Sequence, residues 1–234
     1  MYTKEQFAKT IDNTLLRPAA TRDETLRLCE ESARRHFASV CILPCWVGAA
    51  ARVLDGSDVK VCTVVAFPFG TATRLSKVYE TKNAIANGAQ EVDAVLNLSR
   101  FKSGDFDAVM EDLRGVVDAC RAHGRADGAG GVLLKVIIET CYLSDEEIDL
   151  ASRMVRDSGA DFVKTSTGTA GGGATAEHIR RIRRAVGASP IGIKASGGIK
   201  TVETALEMLD AGANRLGTSS GIALFDAYRP QDYE

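Results

Sequence analysis

Three lysines stand inside runs that otherwise read as buried β-strand: Lys135 in Leu-Leu-Lys-Val-Ile-Ile, Lys164 in Phe-Val-Lys-Thr and Lys194 in Gly-Ile-Lys-Ala. Lysine is seldom buried without a partner, so each needs a reason for its place. Alternation along a strand puts Lys164 on one face with Phe162 and Ser166, Lys194 with Gly192 and Ser196, and Lys135 with Leu133 and Ile137. If those faces line one interior, three ammonium groups converge, and strands about 4.8 Å apart bring neighbouring amines to roughly 6 Å. At an effective dielectric of about 20 such a pair repels by about 2–3 kcal/mol, enough to lower one pKa by about two units before desolvation adds to the shift. An amine perturbed in this way is a nucleophile near neutral pH. The alternative is that the lysines face outward or snorkel at strand ends, which three on consecutive strands make harder to sustain.

An amine nucleophile also needs a group to move protons. Asp93, in Glu91-Val92-Asp93-Ala94-Val95-Leu96-Asn97, is a carboxylate in the middle of another apolar strand and shares a face with Val95 and Asn97. It can serve as the acid–base partner, or it can be a purely structural counter-ion of Lys135 or Lys194. Three turns follow strands near the C-terminal end of the chain: Ser166-Thr167-Gly168, Ser196-Gly197-Gly198 and Gly217-Thr218-Ser219-Ser220. Glycine-rich turns expose backbone N–H groups, and the neighbouring hydroxyls add donors, which is the chemistry of a phosphate site.

The elements that must position these groups alternate regularly. Strand patterns run over Ser39–Leu43, Val59–Ala66, Glu91–Asn97, Val132–Glu139, Asp161–Ser166, Ile191–Ala195 and Asn214–Thr218, with Thr10–Leu15 as an eighth. Between most of them the apolar spacing is helical: Thr21–His36, Arg74–Ala86, Phe106–Ala122, Asp145–Ser158, Ala176–Val186 and Val202–Ala211. Asn87-Gly88-Ala89, Ser158-Gly159-Ala160 and Ala211-Gly212-Ala213 supply left-handed helix ends before the next strand. About eight such units in 234 residues predict an α/β fold, a single (β/α)₈ TIM barrel with a short N-terminal helix, spanning 1–234 as one domain. Gly128, Gly130 and Gly131 read as a surface loop before the fifth strand, and 226–234 as a flexible tail.

A formal net charge of −2 with 26% charged residues offers no field for nucleic acid or an anionic membrane. No stretch approaches the roughly 20 apolar residues of a membrane span, and the polar start of the chain is unlike a signal peptide, so a cytoplasmic location is expected. The six cysteines are scattered and read as reduced thiols; Cys41 and Cys45 are the one close pair, with no second pair to complete a zinc site. His36, His123 and His178 lack ligand spacing, so neither a metal nor a histidine base is implied, and no cofactor is expected. A homodimer is left open, with no surface stripe that marks an interface.

With these residues in view, the sequence resembles the deoxyribose-phosphate aldolases over nearly its whole length. Phe162-Val163-Lys164-Thr165-Ser166-Thr167-Gly168 is similar to the family's Schiff-base strand, and Ile193-Lys194-Ala195-Ser196-Gly197-Gly198-Ile199 to its second-lysine strand. Glu91-Val92-Asp93 and Leu134-Lys135-Val136-Ile137-Ile138-Glu139-Thr140 match two further strands. The resemblance implies reversible cleavage of 2-deoxy-D-ribose 5-phosphate to acetaldehyde and D-glyceraldehyde 3-phosphate without a metal. By position it implies that Lys164 forms the imine, Lys194 perturbs it and relays protons, and Asp93 is the acid–base carboxylate. It also implies that Asp12, Thr14, Cys41 and Lys135 line the substrate pocket, and that Thr167, Gly168, Gly197, Gly198, Gly217, Ser219 and Ser220 belong to its substrate and phosphate loops. Thr169 stands where the family often has an aromatic residue, and Tyr228 and Tyr233 compete for the tyrosine that the family's C-terminus can bring to the site. The rival readings are another Schiff-base aldolase of sugar phosphates, a phosphate-binding barrel isomerase, and a phosphosugar-binding barrel without catalysis.

Overall fold

The structure, a computed structural model, describes residues 2–122 and 131–233. Gly128 and Gly130, expected in a surface loop, and His123 lie outside the described residues. Eight parallel strands close into a barrel in sequence order: β1 (Ile11–Leu15), β2 (Ser39–Ile42), β3 (Lys60–Val65), β4 (Glu91–Val95), β5 (Leu133–Ile137), β6 (Phe162–Lys164), β7 (Gly192–Ser196) and β8 (Arg215–Thr218). All eight fall inside the expected segments to within a residue at any end they overrun, including the N-terminal one. The barrel closes because β8 pairs with β1, Asp12 opposite Gly217.

Helices cover the outside. α1 (Lys4–Ala8) precedes the barrel, followed by α2 (Arg22–Arg34), α3 (Val47–Val53), α4 (Arg74–Ala86), α5 (Leu98–Lys102), α6 (Phe106–Arg121), α7 (Asp145–Ser158), α8 (Ala176–Val186), α9 (Val202–Asp210) and α10 (Gly221–Ala227). Two of the long helices, α2 and α7, begin on reciprocal capping boxes, Thr21 with Glu24 and Ser144 with Glu147. Gly88, Gly159 and Gly212 adopt the left-handed conformation expected of them. The short α3, α5 and α10 carry too few turns to show a helical period in the sequence. No helix of the described residues is long and apolar enough to cross a membrane.

The outward faces of the strands, such as Val92, Leu134, Val136, Val163, Ile193 and Leu216, are fully buried under the helices and form the main apolar core. The inward faces are polar in the middle and plugged by an aromatic ring lower down. Phe162 lies so close to Gly192 that a Cβ added there would come within 2.3 Å of the ring.

One expectation is corrected. The segment from Asp226 onward does not leave the body as a flexible tail at once: Asp226 pairs with Arg35, and Tyr228 is fully buried, its ring stacked 4.2 Å from Phe7 and its hydroxyl donating to the Tyr2 carbonyl at 2.7 Å. A polar composition hid one large aromatic anchor. The Phe162–Gly192 packing gives a direct test. Gly192→Ala should lower stability by about 1–3 kcal/mol through overpacking, read as a reduced denaturant midpoint, and adding Phe162→Leu should recover part of the loss.

Candidate active site

The alternation of β4 turns Glu91 and Asp93 inward, and register carries the same face through Lys135 on β5, Lys164 on β6 and Lys194 on β7. Their ammonium groups do converge, but on a carboxylate. Asp93 Oδ2 accepts from Lys164 Nζ at 2.8 Å and Lys194 Nζ at 2.7 Å, while Oδ1 accepts from Lys135 Nζ at 2.9 Å. Cys62 on β3 donates to Oδ1 at 3.2 Å, and Cys41 on β2 stands 3.9 Å from Oδ2. Every side chain touching Asp93 is buried.

Beneath this centre lies a second tier of charge. Lys135 donates to Glu91 at 2.6 Å, Lys194 makes an ion pair with Asp12 at 2.6 Å, and Arg215 on β8 bridges Asp12 and Glu91. These contacts correct the expectation that lysine–lysine repulsion governs the group. Burial alone would push the pKa of Lys135 and Lys194 down, yet the carboxylates around them override it and raise both. Burial likewise pushes the Asp93 carboxyl up, and Lys135, Lys164 and Lys194 together more than reverse this, holding it well below the usual carboxylate range. Asp12 is held down in the same way by Arg215, Lys194 and Lys135.

Above the lysines opens a cavity of about 710 Å³ at the C-terminal end of the strands. Lys164 reaches its wall; the two other lysines and Asp93 do not. Of the expected contact residues, Thr14, Thr167, Gly168, Gly197, Gly198, Gly217 and Ser219 line it. Asp12, Cys41 and Lys135 are fully buried one tier lower, and Ser220 also stands off the wall, its amide donating to Thr218 Oγ1 at 2.9 Å. Tyr228 packs on α1 at the opposite end of the barrel, and the side chain of Tyr233 lies outside the described residues.

The turns leave donors open. Among the described residues the amides of Gly168, Gly198 and Ser219 meet no protein acceptor, and each residue lines the cavity. Gly197 and Gly198 are both left-handed, at φ +87° and +83°, a succession only glycine adopts without strain. Gly217 has a different constraint: a Cβ there would lie 2.9 Å from Lys194 Cε, so its missing side chain is the space the lysine stem occupies.

Several participants went unrecognised in the sequence. Lys200 and Arg17 bring cations to the cavity wall, and Arg17 is spent on Glu24. Arg215 and Glu91 balance the lower tier; their inward phase in β8 and β4 was readable, but their partners were not. Glu139, left-handed at φ +50° and buried, accepts the Thr167 amide on both carboxylate oxygens at 3.1 and 3.2 Å and so holds the turn after Lys164. Cys41 is paired in register with Cys62 rather than with the exposed Cys45. Their thiols and an Asp93 oxygen lie within 4.8 Å of one another, a ligand-like grouping that three ammonium groups on the same carboxylate oppose.

A family model described as DeoC/LacD family aldolase matches residues 8–227. The chain is 49% identical to a deoxyribose-phosphate aldolase of Caldanaerobacter subterraneus over 96% of its own length and 94% of the relative's. It is 50% identical to one from Brevibacillus brevis over 92% and 93%. Among solved structures it resembles a putative deoxyribose-phosphate aldolase from Coccidioides immitis, with TM-score 0.88, 38% identity, and 96% and 86% of the two chains covered. It also resembles a tetrameric deoxyribose phosphate aldolase from Aeropyrum pernix, with TM-score 0.88, 30% identity, and 98% and 93% covered.

The ion network makes a pH prediction with opposite signs at its two ends. Asp93 and Asp12, lowered in the folded state, contribute stability that is present above their unfolded pKa of about 3.9 and lost as pH falls through the folded values. Lys135 and Lys194, raised, contribute stability that is present below about 10.4 and lost as pH rises through theirs. Denaturant midpoints measured from pH 3 to 11 should fall toward both ends, and Asp93→Asn should lower the plateau by about 3–5 kcal/mol by leaving buried ammonium groups without their carboxylate.

Proposed function

Because the chain belongs to the DeoC/LacD family of aldolases, we propose that it cleaves 2-deoxy-D-ribose 5-phosphate reversibly to acetaldehyde and D-glyceraldehyde 3-phosphate, with Lys164 as the Schiff-base lysine. The observation that carries this reading is that Lys164 alone of the three clustered lysines reaches the cavity, held from below by Asp93.

In the proposed sequence the amine of Lys164 adds to the C1 aldehyde of the open-chain sugar, and loss of water leaves a protonated imine. Removal of the proton from the C3 hydroxyl converts it to a carbonyl. The electrons of the C2–C3 bond pass to C1 and C2 as an enamine, and D-glyceraldehyde 3-phosphate leaves. Protonation at C2 and hydrolysis of the imine then release acetaldehyde and regenerate the amine. Asp93 and Lys194, 2.7 Å apart and both in reach of Lys164 through the shared carboxylate, are suited to moving these protons through the amine or a bound water.

The phosphate is assigned to the turns around Gly168, Gly198 and Ser219, whose open amides face the cavity, with Lys200 adding charge at its rim. Leu16 and Pro18, together with Thr14, line the same cavity from β1 and the turn after it, β1 being the neighbour of β8.

Borohydride reduction in the presence of 2-deoxyribose 5-phosphate, followed by mass spectrometry, should put the reduced adduct on Lys164; an isomerase or a passive binding protein would give none. A donor panel separates the nearest rival: acetaldehyde should be accepted, and acceptance of dihydroxyacetone in its place would overturn the assignment. Lys194→Leu should reduce kcat by at least about 100-fold, as removal of a proton-transfer partner does. Lys200→Ala should raise KM for the phosphorylated sugar about tenfold while leaving turnover of unphosphorylated 2-deoxyribose nearly unchanged.

A further inference from the structure

Arg215 enters the barrel from β8 and spans the lower tier: its Nε donates to Asp12 Oδ1 at 2.6 Å and its Nη2 to Glu91 Oε2 at 2.9 Å. Its side chain is 12% exposed, it does not line the cavity, and it touches neither Lys164 nor Asp93. An arginine cannot give up its proton in a protein, so this cation is permanent. Four cations, counting Arg215 with the three lysines, face three carboxylates, Asp12, Glu91 and Asp93, which leaves one surplus positive charge.

The surplus is unevenly shared. Lys135 has three carboxylates within 3.7 Å, and Lys194 and Arg215 have two each. Among the described residues Lys164 has Asp93 alone, and shares the same oxygen with Lys194. Without Arg215 the carboxylates would match the lysines in number, with no surplus.

We infer that Arg215 is a positioning residue for the reaction: by occupying Asp12 and Glu91 with a cation that cannot be titrated, it leaves the lysine cluster one positive charge in excess, so that one amine, Lys164, can be spared as the nucleophile. This rests on the reading of Lys164 as the Schiff-base lysine.

The groups that face the cluster come from every strand. β1 supplies Asp12, β4 Glu91 and Asp93, and β5, β6 and β7 one lysine each. β2 and β3 supply Cys41 and Cys62; burial holds the Cys62 thiol well up, whereas the hydrogen bond between the two thiols lowers Cys41. Lys60, at the N-terminal end of β3, makes no ion pair with the cluster among the described residues.

The test is the acid limb of the kcat/KM profile, where activity falls as the amine gains its proton. Arg215 lies two strand spacings, about 10 Å, from Lys164, and a unit charge at that distance moves a titration by about one pH unit at an effective dielectric of about 20. Arg215→Met should therefore shift the acid limb up by about one unit, and Glu91→Gln, which removes a negative charge, should shift it down by a similar amount. The double variant Arg215→Met/Glu91→Gln restores the original balance and should return the limb to within about 0.3 unit of its starting place; Arg215→Lys should barely move it. The same shifts are expected in a Cys41→Ser background, where that thiol cannot share them. A purely structural role would lower activity and melting temperature in Arg215→Met with the limb unmoved, and that result would overturn the inference. If Arg215→Met does not fold, Glu91→Gln alone decides, since an unmoved or upward limb contradicts the charge argument. An absent borohydride adduct in the native chain would instead sink the Schiff-base reading; an adduct present with unmoved limbs would sink only the role of Arg215.

Discussion

One carboxylate, that of Asp93, accepts hydrogen bonds from three lysines on three strands, and the interior of the barrel depends on it. Each buried ammonium group carries a desolvation penalty of several kcal/mol, which is recovered only with well-placed counter-charges. Asp93 meets that demand with both oxygens, yet β4 has β5 as a neighbour and neither β6 nor β7. The bonds to Lys164 and Lys194 therefore run across the lumen. An open sheet of the same strands would leave those two amines without Asp93, so closure of the barrel and ionisation of its interior are one problem.

That closure also explains the glycines. Lys194 can lie across the lumen because Gly217 on β8 vacates the volume its stem fills, and Phe162 can plug the lower barrel because Gly192 gives way to its ring. Above the lysines the chain switches from side chains to backbone as its source of polarity, with left-handed Gly168, Gly197 and Gly198 turning the loops over the cavity. The result is a graded interior: an apolar plug, a layer of paired ions, a single lysine at the boundary, and a wall of amides and hydroxyls.

Strand and helix succession was legible because the strands repeat apolar, often β-branched residues on their outward faces and several of the long helices carry caps or terminal glycines. Lys164, Lys194 and Asp93 were conspicuous because charge inside an apolar strand is rare. Depth was not legible. Asp12, Cys41 and Lys135 were expected against the substrate, but alternation gives only the face on which a residue lies, not its height along the axis, which the stagger of neighbouring strands decides. The sign of the electrostatics was missed for the same reason. Repulsion between lysines looked dominant while Glu91, Asp12 and Arg215 were unplaced, and it gives way once every lysine is seen with a carboxylate. Lys200, a lone lysine in a turn, and Tyr228, an aromatic in a polar tail, had no local signal at all.

The arrangement suits a reaction whose intermediate stays cationic. In the proposed mechanism Lys164 becomes a protonated imine whose nitrogen keeps a formal charge, so Asp93 would retain the same kind of partner at the same place and the paired ions beneath would not need to move. In the same proposed mechanism the attacking amine is the brief exception, which the inferred surplus charge of the cluster would ease. An environment fixed in advance for the charged states, and tolerant of the neutral one, lowers the reorganisation that chemistry would otherwise require. On the proposed mechanism, the buried ions suit the imine more than the resting lysine.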